Sequence, residues 1–293
     1  MSILVDETTR VCVQGATGAA GRRFTAAMLR YGTNVVAGVS PRGGDGSGSL
    51  TPVFRSMEEA VAATAPDLSV VFVGGNRVRE AVVEAAEAGT AVIVVMAEYV
   101  PVWDVVEATA VCRRRGTRLI GPNTNGVITM ERAVIGFFPP ELSRRGPVGV
   151  VSRSGTLAYG VLLGLQHRGI GQSTVVGIGG SPVPGTTIVD CLRLFAADDE
   201  TEAVVIVGEI GGTGEEDAAE YLRGGYPKPV LALIAGRTAP EGIAVGHAGA
   251  IVAAGRGSWR SKHEALTSSG VFVAATIEEL AATTAQSLRG SGG

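Results

Sequence analysis

The chain has 293 residues, 45% hydrophobic and 5% aromatic, with 43 glycines and a formal net charge of −3, and its mean hydropathy is +0.28. That length and apolar content suit two ordinary domains with real cores and exclude disorder, while the lack of a basic stripe excludes nucleic acid as a partner. No apolar run approaches the roughly 18 residues of a membrane span, and the first six residues lack the basic-then-apolar plan of a secretory signal, so a cytoplasmic protein with no membrane partner is expected.

In chain order, short β-branched runs alternate with Ala-rich amphipathic segments. Val11–Gln14, Asn34–Ala37, Ser69–Val73 and Ala91–Val95 read as buried strands; Arg22–Arg30, Met57–Ala63 and Val78–Ala88 carry helical spacing between them. Strands apolar on both faces with helices between them mean parallel βαβ units. Gly32, Gly89 and Gly116 stand where left-handed helix C-caps are needed. The alternation breaks at Phe137-Phe138-Pro139-Pro140 and Arg144-Arg145-Gly146-Pro147, then restarts with Val148–Val151, Thr174–Gly177, Ala203–Val207 and Val230–Ile234. This predicts an α/β protein of two mainly parallel open sheets, with domains 1–145 and 146–293 and a frayed tail from Ser287 to Gly293. Cys12, Cys112 and Cys191 are widely spaced in apolar stretches, without metal spacing, and read as small buried hydrophobes in a reducing compartment.

Four places carry chemistry. Val11–Gln14 runs into Gly15-Ala16-Thr17-Gly18-Ala19-Ala20-Gly21, a loop whose glycines let backbone approach a phosphate at a helix start; the competing reading is a structural βα turn. An NAD site needs an acid at the end of the second strand. Here that stretch is Ala37-Gly38-Val39-Ser40-Pro41-Arg42-Gly43-Gly44, so Arg42 points instead to an extra phosphate, as in NADP or coenzyme A. Farther on, Ser152-Arg153-Ser154-Gly155-Thr156-Leu157 opens a helix and makes an anion cradle or a plain N-cap. It lacks the G-x-S-x-G pattern of a hydrolase elbow. Glu209 follows the strand Ala203–Val207, either as a solvated loop acid or as the partner of a catalytic imidazole. Last comes His247 in Gly246-His247-Ala248-Gly249-Ala250, a position where a histidine is ordinarily a solvated or capping residue.

In this order the motifs resemble the α-subunit of succinyl-CoA synthetase (succinate–CoA ligase) over nearly the whole chain. The carriers are Gln14-Gly15-Ala16-Thr17-Gly18, Ile120-Gly121-Pro122-Asn123, Val151 to Leu157, Gly177-Ile178-Gly179-Gly180 with Pro182 and Pro184-Gly185, Gly208-Glu209-Ile210-Gly211-Gly212 and Gly246 to Ala250. The resemblance implies a Rossmann-like CoA-binding domain followed by a flavodoxin-like ligase domain whose histidine, His247, becomes phosphorylated. It further implies a heterodimer with a β-subunit that supplies an ATP-grasp nucleotide site with Mg²⁺ and ATP or GTP. Phosphohistidine then forms from the nucleoside triphosphate, an acyl phosphate from a small carboxylate, and acyl-CoA from CoA with release of phosphate, as in the tricarboxylic acid cycle. Glu209 is implied to orient the histidine. Thr17, Gly18, Ala19, Ala20, Arg42, Met96, Ala97 and Glu98 are implied to contact CoA, and Ser154, Gly155, Thr156, Tyr159 and Asn123 to bind substrate and phosphate.

The departures from the family pattern cluster on the acyl side. Gly121-Pro122-Asn123-Thr124-Asn125-Gly126 stands where the family has Gly-Pro-Asn-Cys-Pro-Gly; Gly160 replaces an acid after the tyrosine, and Ser181 an Asp. Arg42 stands in for a lysine, and Val73-Gly74-Gly75-Asn76-Arg77 replaces a proline-and-aromatic stretch. A paralogue acting on another carboxylate, such as malate, is therefore an alternative, as is a CoA-binding protein without catalysis. An NADP-dependent oxidoreductase is disfavoured because no acid/base set for hydride transfer accompanies the loop.

Overall fold

In the computed structural model, residues 3–43, 49–239, 247, 249–250, 252 and 256–290 are described. The chain forms two compact units, one of residues 4–138 with 183–186, the other of 139–182 and 187–293 with the first three residues.

The N-terminal unit runs β1 (Val11–Gln14), α1 (Ala19–Tyr31), β2 (Val35–Val39), β3 (Val53–Phe54), α2 (Met57–Thr64), β4 (Leu68–Val71), α3 (Val78–Glu87), β5 (Val92–Val95), α4 (Val102–Arg115) and β6 (Arg118–Ile120). The hairpin β7 (Gly126–Thr129) and β8 (Ala133–Gly136) completes it. The six-stranded sheet is ordered β3-β2-β1-β4-β5-β6 and its pairs are parallel. That is the doubly wound order whose direction reverses between β1 and β4, where crevices for ligands form. The strands take this form because they are apolar on both faces: Val11, Cys12, Val13, Val70 and Val71 are fully buried. Gln14, 2% exposed, is tolerated because its amide donates to the Ala81 carbonyl (2.9 Å) and accepts from Ser69 Oγ (2.8 Å). Gly32 (φ 103°) and Gly116 (φ 72°) cap α1 and α4 in the left-handed conformation, and Gly89 (φ 89°) follows α3.

The C-terminal unit runs β9 (Arg145–Ser152), α5 (Gly155–His167), β10 (Gln172–Gly177), α6 (Ile188–Ala196), β11 (Ala203–Glu209), α7 (Gly214–Leu222), β12 (Val230–Ala235), α8 (Trp259–Ser268), β13 (Phe272–Ala274) and α9 (Ile277–Gly290). Within this unit its strands follow the order β13-β12-β11-β9-β10, all parallel. Counted from β9, this is the flavodoxin order, with its switch point between β9 and β11.

The structure corrects several sequence expectations. The glycine loop is shorter than expected, because Ala19, Ala20 and Gly21 already belong to α1. The Arg144–Pro147 stretch is no break, since β9 begins at Arg145: Gly146 sits so close to Gly171 that an added Cβ would lie 2.5 Å from its Cα. Residues 287–290 are the last turn of α9 rather than a frayed end, and 291–293 lie outside the described residues. Cys12, Cys112 and Cys191 are buried, as expected. Among the described residues no helix is long and apolar enough to cross a membrane.

Candidate active site

In the C-terminal unit the switch point carries the His–Glu pair singled out from the sequence. β9 stops at Ser152, paired with Val207, while β11 continues to Glu209. The Glu209 carboxylate therefore projects past the carboxyl edge of its neighbour. It is not the solvated loop acid that a lone Glu after a strand suggests: it is the last strand residue and only 7% exposed. Both its oxygens meet His247 Nδ1, at 2.9 and 2.8 Å. A carboxylate only accepts, so Nδ1 carries the proton and the lone pair of the neutral ring is on Nε2. The imidazole lies against backbone: a Cβ on Gly180 would come within 2.2 Å of the ring. Ala250 N–H donates to the His247 carbonyl (3.0 Å), and Gly249 N–H donates to that of Gly180 (3.3 Å). Gly246 and Ala248 lie outside the described residues.

The start of α5 is tied to the same cluster. Ser154 is the N-cap, its Oγ accepting from Leu157 N–H at 3.3 Å, and Ser152 Oγ donates to the Ser154 carbonyl at 2.7 Å. Gly155 and Thr156 follow in the first turn, where amides have no partner inside the helix and the dipole favours an anion. The residue before the cap, Arg153, is 9% exposed. Its guanidinium donates to the Gly211 carbonyl (2.6 Å) and stands 3.5 Å from Glu209 Oε1 and 3.6 Å from Glu215 Oε1. One short segment therefore supplies both an anion cradle and the cation that borders the His–Glu pair. Tyr159 lies one turn into α5 and is half-buried.

In the N-terminal unit the expected CoA residues collect at the carboxyl ends of the strands. Gly15 (φ 81°) turns the chain out of β1, and a Cβ on Gly21 would lie 2.2 Å from the Gly15 carbonyl oxygen, so α1 presses directly on the loop. Thr17, Gly18, Ala19 and Ala20 are exposed. Thr17 Oγ1 bonds Ser40 Oγ (2.9 Å), which brings the end of β2 and Arg42, also exposed, beside the loop. On the other side of the switch point, Met96 is buried, Ala97 half-buried and Glu98 exposed. Asn123 (φ 58°) follows a cis Gly121–Pro122 bond, and its N–H donates to the Ala97 carbonyl at 2.9 Å. Gly75 packs on the Glu98 and Tyr99 carbonyls, 2.8 Å from where its Cβ would be. Two groups form, 17–20 with 40–42, and 75 with 96–98 and 123.

Several residues of the site were not singled out from the sequence. Arg153, Glu215 and Lys262 are joined only by the fold. Arg22, exposed in α1 beside a small cleft lined by Ala16, Thr25, Ser49, Leu50 and Thr51, was readable as a second cation after a glycine loop with no acid in the first helical turn. The departures also acquire physical content. A Cβ at Gly160 would stand 3.0 Å from Ile277 Cδ1 of α9, so an acid there needs the Ile277 side chain to give way. Thr124 Oγ1 accepts from Gly126 N–H (2.8 Å), closing the loop.

Residues 151–272 match the CoA-ligase family and residues 6–99 the CoA-binding domain. The succinate–CoA ligase [ADP-forming] subunit alpha of Staphylococcus aureus is 45% identical over 292 residues, covering 100% of this chain and 97% of that protein. That of Staphylococcus epidermidis is 44% identical, covering 97% and 94%. Among solved structures, ATP citrate lyase of Methanosaeta concilii in complex with (3S)-citryl-CoA aligns with a TM-score of 0.86 at 23% identity, covering 98% of this chain and 50% of that one. The dinucleotide-forming acetyl-coenzyme A synthetase 1 of Ca. Korarchaeum cryptofilum, in complex with phosphate and ADP, aligns with a TM-score of 0.74 at 22% identity, covering 94% and 60%. The chain thus spans about half the length of the citrate lyase chain, and these two likenesses speak for the fold.

Proposed function

The chain belongs to the family of succinate–CoA ligase α-subunits, and from that premise we propose that it forms acyl-CoA through a phosphate carried on His247. It is an acid–CoA ligase subunit of the nucleoside-diphosphate-forming kind, with CoA as a substrate and a β-subunit as partner. In our reading that partner contributes an ATP-grasp site with Mg²⁺ and ATP or GTP, and the complex works in the cytoplasm, where buried reduced thiols are at home.

The chemistry follows from the groups at hand. His247 Nε2 attacks the γ-phosphorus, the bond to the β-phosphate oxygen breaks, and nucleoside diphosphate leaves. Glu209 keeps the proton on Nδ1 and balances the charge that the ring gains. The phosphoryl oxygens are met by the Gly155 and Thr156 amides at the start of α5, contacts of about 0.3–1 kcal/mol each. A substrate carboxylate oxygen then attacks phosphorus, Nε2 leaves, and an acyl phosphate forms. Finally the CoA thiolate attacks the acyl carbon, and inorganic phosphate departs. Phosphoryl transfer needs positioning and charge stabilisation more than titrating side chains, which suits this site. CoA would lie on the exposed Thr17–Ala20 loop with Arg42 and Arg22 at its phosphates, and beside Met96–Glu98. Tyr159 and Asn123 are assigned to the acyl side, where succinate is the family's substrate and malate the alternative that the Gly160 and Thr124-Asn125 changes leave open.

The observation that carries this reading is the 2.8 Å contact of Glu209 with His247 Nδ1. The test co-expresses the chain with its β-subunit and adds labelled ATP and Mg²⁺. Acid-labile, base-stable label on this chain, absent in His247→Ala, is expected. A folded, nucleotide-binding complex that takes up no label would contradict it. A panel of carboxylates with CoA then identifies the acid.

A further inference from the structure

Beneath the His–Glu pair lies a second layer of charge that the reaction does not use directly. Lys262 and Glu215 are both 0% exposed, and the Lys262 ammonium bonds Glu215 Oε2. The other oxygen, Glu215 Oε1, accepts the backbone N–H of Glu209 at 3.1 Å and faces Arg153 Nη1 at 3.6 Å. Lys262 Nζ also donates to the Gly211 carbonyl at 2.9 Å, the oxygen that Arg153 takes at 2.6 Å. Glu216 closes the layer: its Oε2 stands 4.0 Å from Lys262 Nζ, and its Oε1 accepts from Ser261 Oγ and Gly257 N–H. Backbone is shaped to admit this layer, since a Cβ on Gly208 would lie 2.5 Å from Glu215 Oε1.

Burying a lysine and a glutamate together seldom gains stability over an apolar pair of the same shape. What the pair does supply here is direction. Glu215 has two oxygens and two cations near it. While Lys262 holds one oxygen, Arg153 is shared between the other oxygen, the Gly211 carbonyl and Glu209. Without Lys262, three carboxylates would face one fixed cation. Arg153 would then swing to Glu215, and Glu209 would lose both its cationic neighbour and the anchor of its own backbone.

We propose that Lys262, acting through Glu215 and Arg153, is a positioning residue that sets the Glu209 carboxylate against His247 Nδ1 and so fixes the imidazole tautomer. The proposal rests on the phosphohistidine reading for its kinetic consequence, but its structural consequence is independent of it.

The test uses the co-expressed complex in three forms: wild type, Lys262→Met, and Lys262→Met with Glu215→Met, which removes the pair together and keeps the protein folded if the single change does not. The first readout is the imidazole ¹⁵N spectrum of His247 in complex whose histidines are labelled in this chain alone, which carries three of them. Wild type should show the proton on Nδ1, and both variants should shift toward the Nε2–H form that predominates in water. The second readout is the single-turnover labelling of His247, expected to slow at least tenfold in both variants while the nucleotide KM stays within twofold. A merely structural lysine predicts that the double variant, once its melting temperature returns, also regains rate and spectrum; that result, or a folded single variant with wild-type spectrum and rate, would overturn the proposal. Variants that shift the spectrum in a complex whose wild type takes no label would uphold the positioning role and count against the phosphohistidine reading alone.

Discussion

The two ends of the proposed reaction are built from opposite materials. The proposed CoA loop is a glycine-shaped turn with an exposed rim: Gly15 and Gly21 pack backbone on backbone beneath the exposed Thr17–Ala20, with Arg22 and Arg42 exposed beside it. The proposed phosphoryl site is buried side chain: Glu209, Arg153, Glu215 and Lys262 hold one another in fixed geometry, each under a tenth exposed. A backbone platform tolerates variation in the side chains above it. A charge network fails as a unit, because each buried charge removed leaves its partner uncompensated.

Four substitutions and one modification separate the two behaviours, from the largest effect to the smallest. Glu209→Gln keeps the volume but removes the charge that the imidazole leans on, and the rate of His247 phosphorylation should fall about 10²–10³-fold with CoA affinity unchanged. Single-turnover labelling and CoA titration check the two halves separately. Gly21→Ala forces the Gly15 carbonyl away from a Cβ placed at 2.2 Å. It should cost about 1–3 kcal/mol of stability and weaken CoA while leaving labelling intact; a denaturant titration reads the first and KM for CoA the second. Arg42→Ala and Arg22→Ala should each raise the Kd for CoA roughly three- to tenfold, and less at high salt, as exposed charge contacts do. Calorimetry at two salt concentrations shows whether the ratio shrinks. Smallest of all, thiol reagents at pH 8 should leave native activity unchanged. Burial, seconded by Glu84, pushes the Cys12 thiol up to about 12, and burial pushes Cys112 up to about 11.

The same contrast governs what the sequence could tell. Most strands and several helices were legible because strands buried on both faces are apolar without interruption, and Gly32, Gly89 and Gly116 marked the stops. The hairpin Gly126–Gly136 was not, since its strands Gly126–Thr129 and Ala133–Gly136 offer apolar runs of only two or three residues, too short to read as strands. The glycine loop, the Ser154 helix start and the pair Glu209–His247 could be named because each is a local motif or part of one. Glu209 was harder: its strand position, not its neighbours, makes it a buried partner instead of a solvated acid. Lys262 could not be found at all. In the sequence it sits among the polar residues Arg260, Ser261 and His263 of a helix, and only the fold turns it inward to Glu215.

The central claim is that Glu209 leaves Nε2, and not Nδ1, as the phosphorylated nitrogen of His247. A ³¹P spectrum of the complex after reaction with ATP and Mg²⁺, compared with the two phosphohistidine isomers as standards, tests it directly. A single signal from the Nε2 isomer, lost in His247→Ala, is the predicted result; phosphate on Nδ1 would contradict the account.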